Sequence, residues 1–366
     1  MGVGGKIRDW FDVRIGLGDF VNVQFREFRV PRNSNVFHTL GLVTVVAYMI
    51  QVITGILLLV YYIPHPDFAF KSVQEIMGSV SFGWLLRQVH VVGSSLMVVV
   101  VFLHMASVFF MGGYRKPREM TWVVGGLMFL ITLVFCLSGY LLPWTQLSYW
   151  ATTVVTSIPT AFPYIGDFIS KVLRGGEYVT GITLGRFFAL HVSILPPLFL
   201  FLMLLHIFFV KRTGLSTPPF GLSAEQQSPW TEYRRETHPY GYPFYPDFVK
   251  KEVFMGMLYL TMMFFFITFF PTLFLPEEAN TPADPLRTPS QIRPEWYFLV
   301  PYQLLKLIPN KFIGITLLIL LVVVFLLWPF LDTKKEPNIL KRPVLKTVFF
   351  LILVMLAVLT LWGSYR

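Results

Sequence analysis
Apolar residues in this chain run on without interruption, in place of the three-four stripes of a water-facing helix or the alternation of a half-buried strand. Seven such runs stand out, near residues 36–63, 84–110, 120–141, 184–210, 252–275, 311–331 and 344–364. Each reaches the ~20 residues that carry an α-helix across the hydrocarbon core of a bilayer. A membrane β-barrel would show shorter segments with apolar and polar positions alternating. The pattern predicts an all-α integral membrane protein with seven transmembrane helices, a four-helix bundle followed by three further helices.

The polar stretches between the runs sort by charge. The N-terminal arm (Lys6, Arg8, Arg14, Arg26, Arg29, Arg32) is basic, as is the connection after the second run (Arg115, Lys116, Arg118). So are those after the fourth (Lys211, Arg212, Arg234, Arg235, Lys250, Lys251) and the sixth (Lys334, Lys335, Lys341, Arg342, Lys346), while the other three are near neutral. Lysine and arginine gather on the cytoplasmic side, so the N-terminus is expected there. Four regions follow: a basic surface arm (1–35), a four-helix unit (36–212), a cytoplasmic connecting segment rich in proline and aromatics (213–251), and a three-helix unit (252–366). Composition adds exclusions. The chain has 366 residues, 55% hydrophobic and only 14% charged, too little charge to cover a soluble surface of this size. The net charge of +10 is accounted for by the basic loops, and no nucleic-acid partner is expected. A single cysteine, Cys136, leaves no disulfide framework, zinc knuckle or cysteine-held iron–sulfur site, and reads as a small buried apolar residue.

Two histidines, His90 and His104, interrupt the second run. Fourteen residues of helix rise ~21 Å and return to within ~40° of the starting face, so both imidazoles share a face at two depths. The fourth run carries His191 and His206, fifteen apart, ~22 Å in rise and ~60° off a common face. These two runs cross in the same direction, which levels His90 with His191 on the outer side and His104 with His206 on the inner. Facing imidazoles at one depth suit a bis-histidine haem, and two such pairs suit two b-type haems. Gly41 and Gly55 in the first run, and Gly125 and Gly139 in the third, repeat the fourteen-residue spacing at the same levels; a residue without Cβ lets a neighbouring backbone approach the porphyrin face. Arg87 and Arg186 lie near the outer histidines and are candidate partners for haem propionates.

The paired histidines and glycines, with GYLLPW (139–144), KPREMTW (116–122), PEWY (294–297) and IPNK (308–311), resemble the cytochrome b subunit of the quinol-oxidising cytochrome bc complexes. The resemblance covers nearly the whole chain, as a b6-like N-terminal part joined to a subunit IV-like C-terminal part, and a single fused chain favours a bacterial inner membrane. It implies quinol oxidation on the outer side, with one electron passing to a Rieske iron–sulfur partner and on to a c-type cytochrome. The other crosses through the two haems to an inner quinone site, with protons released outside and taken up inside. It also implies a homodimeric complex with bound lipid. By motif matching it places Tyr140, Pro294, Glu295, Tyr297 and Tyr302 at the quinol site, and Lys211 at the inner quinone site, with Asp247, Lys251 and Glu252 as further candidates there. The photosynthetic variant has a cysteine holding an extra haem where this chain has Thr39. His38, beside it, reads as an interfacial residue. Two other functions compete: a diheme anchor of a dehydrogenase or hydrogenase, which has no use for PEWY, and a proton-coupled secondary transporter with histidine relays.

Overall fold
Among the described residues, seven helices are long and apolar enough to cross a bilayer. The computed structural model describes residues 22–216, 241–275, 277–289 and 292–364, with residues 5 and 13. Lys6, Arg8, Arg14, Arg234 and Arg235 lie outside the described residues, as does most of the connecting segment. The helices are α1 (Leu40–Leu59), α2 (Ala69–Gly78), α3 (Gly83–Phe110), α4 (Glu119–Leu141), α5 (Gln146–Ser157) and α6 (Gly166–Arg174). There follow α7 (Gly181–Ala189), α8 (Leu195–Thr213), α9 (Val249–Phe269), α10 (Leu299–Leu307), α11 (Lys311–Leu331) and α12 (Pro343–Ser364). Helices α7 and α8 make one span, joined by a π turn over Leu190–Ile194. The first and fifth spans stop at Leu59 and Phe269, short of the apolar runs. Pro64 and Pro271 disfavour helical geometry at the residue before them.

The membrane core is continuous across both parts of the chain. Val43, Ala47 and Tyr48 of α1 pack with Val89, Val92 and Met97 of α3, Phe199 and Met203 of α8, and Tyr259, Met263 and Ile267 of α9. Helix α9, the first of the C-terminal three, therefore belongs to the same core as the four-helix unit, and the Tyr259 hydroxyl donates to the Gly93 carbonyl of α3 at 3.4 Å. Helix α11 docks on α4, where the Trp122 indole donates to the Phe325 carbonyl at 2.8 Å. A Cβ on Gly126 would press on Leu326 and Phe325, so this contact depends on a small residue.

Two polar clasps fix the ends of the bundle. On the basic side, the Asp332 side chain is 2% exposed and pairs with Arg342 at 2.6 Å. It also accepts from Tyr114 at 2.5 Å, and Arg115 stands 3.6 Å away. Burial alone would raise the Asp332 pKa, but the Arg342 and Tyr114 hydrogen bonds outweigh it and hold the carboxyl below its ordinary value. On the same side β1 (Arg29–Val30) pairs antiparallel with β2 (Tyr242–Pro243), a small sheet that the all-helical expectation did not include. On the opposite side, the loop before α10 is stitched to the start of α5. Gln146 N–H donates to the Thr281 carbonyl at 2.9 Å, and Ala283 N–H to the Trp144 carbonyl at 3.1 Å. Asp284 N–H donates to the Gln146 side chain at 2.6 Å.

Asp332→Asn leaves Arg342 and Arg115 facing a neutral amide. Removing one member of a buried pair costs about 3–5 kcal/mol, so thermal unfolding of the purified subunit should begin at a clearly lower temperature in this variant, whereas Asp247→Asn, whose pair with Lys250 is exposed, should leave it unchanged.

Candidate functional site
The π turn corrects the offset that the fifteen-residue gap implies for a regular helix. Leu195 N–H bonds to the Leu190 carbonyl, five residues back, so one residue of the gap is absorbed in a wide turn. His191 lies within that turn and Pro196 and Pro197 follow it; their missing N–H groups relax the regular hydrogen-bond ladder there. The gap on α7–α8 thereby acts as fourteen residues, the spacing of His90 and His104 on α3.

His90 and His191 face one another, with ring centroids 6.4 Å apart and ring planes at 74°. Their tautomers are set by what surrounds Nδ1. The Thr54 hydroxyl gives its proton to the Ile50 carbonyl at 2.7 Å, so its oxygen accepts from His90 Nδ1 at 2.9 Å. His191 Nδ1 lies 3.1 Å from the Phe135 carbonyl, which can only accept, and 3.1 Å from Ser138 Oγ. Both rings therefore carry the proton on Nδ1 and a lone pair on Nε2. At the other level the His104 Nδ1 is buried, with no hydrogen-bond partner among the described residues.

Each of the four glycines lies against one of the four histidines. A Cβ would sit 3.5 Å from His104 Cε1 at Gly41, 3.3 Å from His90 Cε1 at Gly55, 3.1 Å from His206 Cε1 at Gly125 and 2.6 Å from His191 Cε1 at Gly139. The depth matching expected from the spacing is present. What the missing Cβ admits in this structure is the imidazole edge.

One cavity joins the His90–His191 pair to the PEWY loop. Its walls include Arg87, Gly55, Gly139, Cys136, Tyr140, Phe274, Glu295 and Tyr297. Glu295 stands at the N-cap of the short turn Trp296–Phe298, yet its side chain makes no capping bond; the Tyr140 hydroxyl is the neighbouring group that favours its ionised form. Burial pushes its pKa up to about 7, against the opposing effect of Tyr140. Burial also holds the Tyr297 phenol well above its ordinary value, with the Cys136 thiol as a neighbour.

Other expected residues lie elsewhere. Arg186 is exposed and donates to the Val172 carbonyl; five residues before His191 it is turned about 140° around the helix, whereas Arg87 is only ~60° from His90. The Tyr302 hydroxyl is drawn to the Ile292 carbonyl at 3.3 Å, with the Lys306 ammonium 4.5 Å from its ring centre. On the basic side, Lys211 sits among Phe28, Phe244 and Phe25, at 4.1, 4.6 and 5.3 Å from the ring centres, a cation–π enclosure. Glu252 is buried and interacts electrostatically with Lys211. Asp247 faces solvent beside Lys250, and Lys251 donates to the Tyr242 hydroxyl at 3.1 Å. His38 uses both ring nitrogens on protein, Nε2 with the Ser216 carbonyl at 3.2 Å and Nδ1 with Asn35 at 3.1 Å. The Thr39 hydroxyl donates to the Val36 carbonyl at 2.6 Å.

The family model Cytochrome b/b6/petB matches residues 25–214, and Cytochrome b(C-terminal)/b6/petD matches residues 282–366. Cytochrome b of Rickettsia conorii is 37% identical over 346 residues, covering 94% of this chain and 83% of that protein. The chain belongs to the cytochrome b family. Cytochrome b of Rhodospirillum rubrum is 35% identical over 348 residues, covering 95% of this chain and 83% of its own. A solved hyperthermophilic respiratory Complex III contains a chain that superposes with a TM-score of 0.88 at 35% identity, covering 98% of this chain and 91% of that one. As a cytochrome b, the protein is an integral membrane redox subunit of a bc-type quinol oxidoreductase, and the family binds b-type haem. PEWY in the cavity wall and membership of this family displace the anchor and transporter readings.

Sequence reasoning passed over Thr54 and Ser138, the hydroxyl groups beside the outer imidazoles. A signal was present: each directly precedes one of the two glycines at that level, as Thr54-Gly55 and Ser138-Gly139, while Leu40 and Val124 precede the other two. Cys136, assigned to plain packing, borders the cavity and neighbours Tyr297. The Cβ distances rank the glycines of this cytochrome b. Gly139→Ala should displace His191 and lower the haem content of the purified protein at least severalfold, whereas Gly41→Ala, with ordinary contact distance, should retain it; pyridine haemochrome assay measures both.

Proposed function
We propose that this cytochrome b holds one b-type haem between His90 and His191 and a second between His104 and His206, and that it oxidises quinol in the cavity bordered by Glu295. The carrying observation is the separation of the outer imidazoles. A histidine nitrogen binds a first-row metal at ~2 Å and its ring centre lies roughly 1 Å behind, so two imidazoles on one iron have centres about 6 Å apart, against 6.4 Å here. With both Nδ1 protons engaged by protein, the Nε2 lone pairs are the atoms left for a metal. The inner pair is assigned by its equal spacing and by the glycines that seat it in the same way. Arg87 is the cation that lines the cavity near His90 and fits a propionate. When bound, the haems supply a one-electron path between the two membrane faces.

Quinol must lose its hydroxyl protons as it is oxidised, and Glu295 is placed to accept one. Its raised pKa keeps it neutral in acid and makes it a base near neutrality. Tyr140 neighbours the carboxylate and Cys136 neighbours Tyr297, and Pro294 fixes the approach of the chain to Glu295. On the basic side, the enclosed Lys211 and buried Glu252 mark the quinone-reducing end better than Asp247 or Lys251, which face outward. By the positive-inside tendency that side is cytoplasmic, in a bacterial inner membrane. A Rieske iron–sulfur protein and a c-type cytochrome are the expected acceptors on the opposite side, in a homodimeric complex.

Two experiments test the assignment. His90→Ala and His191→Ala should each remove the same component of the reduced-minus-oxidised spectrum, and His104→Ala and His206→Ala the other; loss of one shared component from His90→Ala and His206→Ala would overturn the pairing. Separately, quinol turnover should rise as pH increases through about 7, where Glu295 becomes ionised. Glu295→Gln should lower turnover by ~10²-fold or more and flatten that rise, with both haem signals intact.

A further inference from the structure
We propose that Thr54 is a positioning residue that sets the reduction potential of the outer haem by polarising His90, a role that rests on the haem placement proposed above. Helix α1 holds His90 at three points. Thr54 and Gly55 follow Gln51 by three and four residues, so all three share one face of the helix. The Gln51 amide bridges the α3 backbone at the histidine, donating to the His90 carbonyl at 2.8 Å and accepting from Ser94 N–H at 3.2 Å. Gly93 leaves room for it, since a Cβ there would press on the amide. Thr54 is buried, and its hydroxyl, having given its own proton to the Ile50 carbonyl, accepts from His90 Nδ1 at 2.9 Å. Gly55 admits the Cε1 edge of the ring. Fourteen residues earlier, at the inner level, the corresponding positions hold Phe37, Leu40 and Gly41. Only the glycine repeats, and the buried His104 Nδ1 has no hydrogen-bond partner among the described residues.

The difference has an electronic consequence. An imidazole whose Nδ1–H is bound to an oxygen is a more basic ligand through Nε2. A more basic ligand favours ferric over ferrous iron, and hydrogen bonding behind the axial ligand is one of the protein's levers on haem potential. The Thr54 oxygen also turns the negative end of its dipole toward the ring, inside a low-dielectric bundle where such a field is weakly screened. Both effects act in one direction and lower the potential. Neither operates at His104. Gln51 and Gly55 fix the backbone and the ring edge of His90, and so keep the imidazole in register with the hydroxyl.

The test is a redox titration of the assembled complex, followed by its visible spectrum, with the outer component identified as the one lost in His90→Ala. Thr54→Val keeps the shape of the side chain and removes the acceptor. The ferric-to-ferrous equilibrium of the outer haem should then shift about tenfold toward ferrous, which is ~59 mV upward for one electron, while the inner midpoint stays in place. Thr54→Ser retains a hydroxyl and should keep both midpoints. An unchanged outer midpoint in Thr54→Val, an equal rise in Thr54→Ser, or a parallel rise of both haems is the result of a packing role alone, and any of the three overturns the proposal. Should Thr54→Val fail to incorporate the outer haem, Leu40→Thr decides. It places a hydroxyl directly before Gly41, beside the unpartnered His104, and should lower the inner midpoint; an unmoved inner midpoint then overturns the proposal. If His90→Ala leaves both spectral components in place, the haem placement itself is wrong and the role of Thr54 falls with it.

Discussion

Four imidazoles must enter a membrane bundle edge-on against a neighbouring helix, and the rest of the structure follows from how that is allowed. Each ring lies where the facing helix has no Cβ: Gly41 and Gly55 of α1 against His104 and His90 of α3, Gly125 and Gly139 of α4 against His206 and His191 of the α7–α8 span. The bundle is thus two antiparallel helix pairs, each bearing two imidazoles a fixed distance apart. Neither pair completes a bis-histidine site alone. The sites arise only where the pairs meet, and the common core of Tyr48, Met97, Phe199 and Met263 holds them at that meeting. Tyr48 and Phe199, with ring centres 4.5 Å apart, come from opposite pairs and lie between the two levels along their helices.

The polar groups around the outer pair act through orientation. A hydroxyl whose own proton is committed to its helix can only accept, so Thr54 decides the tautomer of His90, as the Phe135 carbonyl decides that of His191. Such groups are invisible to a search for ligand-type residues, since threonine, serine and backbone carbonyls occur throughout any membrane helix. Their placement directly before a glycine of the outer level is what distinguishes them. The inner level lacks that arrangement on both helices, so the two sites differ in what holds their imidazoles even though their depths and spacings match.

Much of the architecture was legible because membrane physics leaves few choices. Twenty apolar residues make a span, a proline trims it, and basic loops alternate with neutral ones. The depth of each histidine was legible for the same reason, since rise per residue is constant. Angular position was less so. A fifteen-residue gap on a regular helix mis-aims His206 relative to His191, and the π turn that removes the error depends on local hydrogen bonding around Pro196 and Pro197. Arg186 looked equivalent to Arg87 when judged by sequence distance alone, but helical phase turns it toward Val172. Around the connecting segment, where no periodicity guides the reading, Asp247 and Lys251 were as plausible as Glu252, and burial alone separates them.

The stitching of the loop before α10 to the start of α5 bears on the order in which the protein is made. Tyr140 and Gln146 leave the ribosome well over a hundred residues before Glu295. Until Thr281, Ala283 and Asp284 arrive to bond with Trp144 and Gln146, the cavity beside His90 and His191 lacks the wall formed by Phe274, Glu295 and Tyr297. Before the C-terminal third is made, the four-helix unit therefore has its outer imidazole pair without that wall. The C-terminal third supplies that wall and the Glu295 carboxylate together, so the cavity and its acid are completed in one step of synthesis.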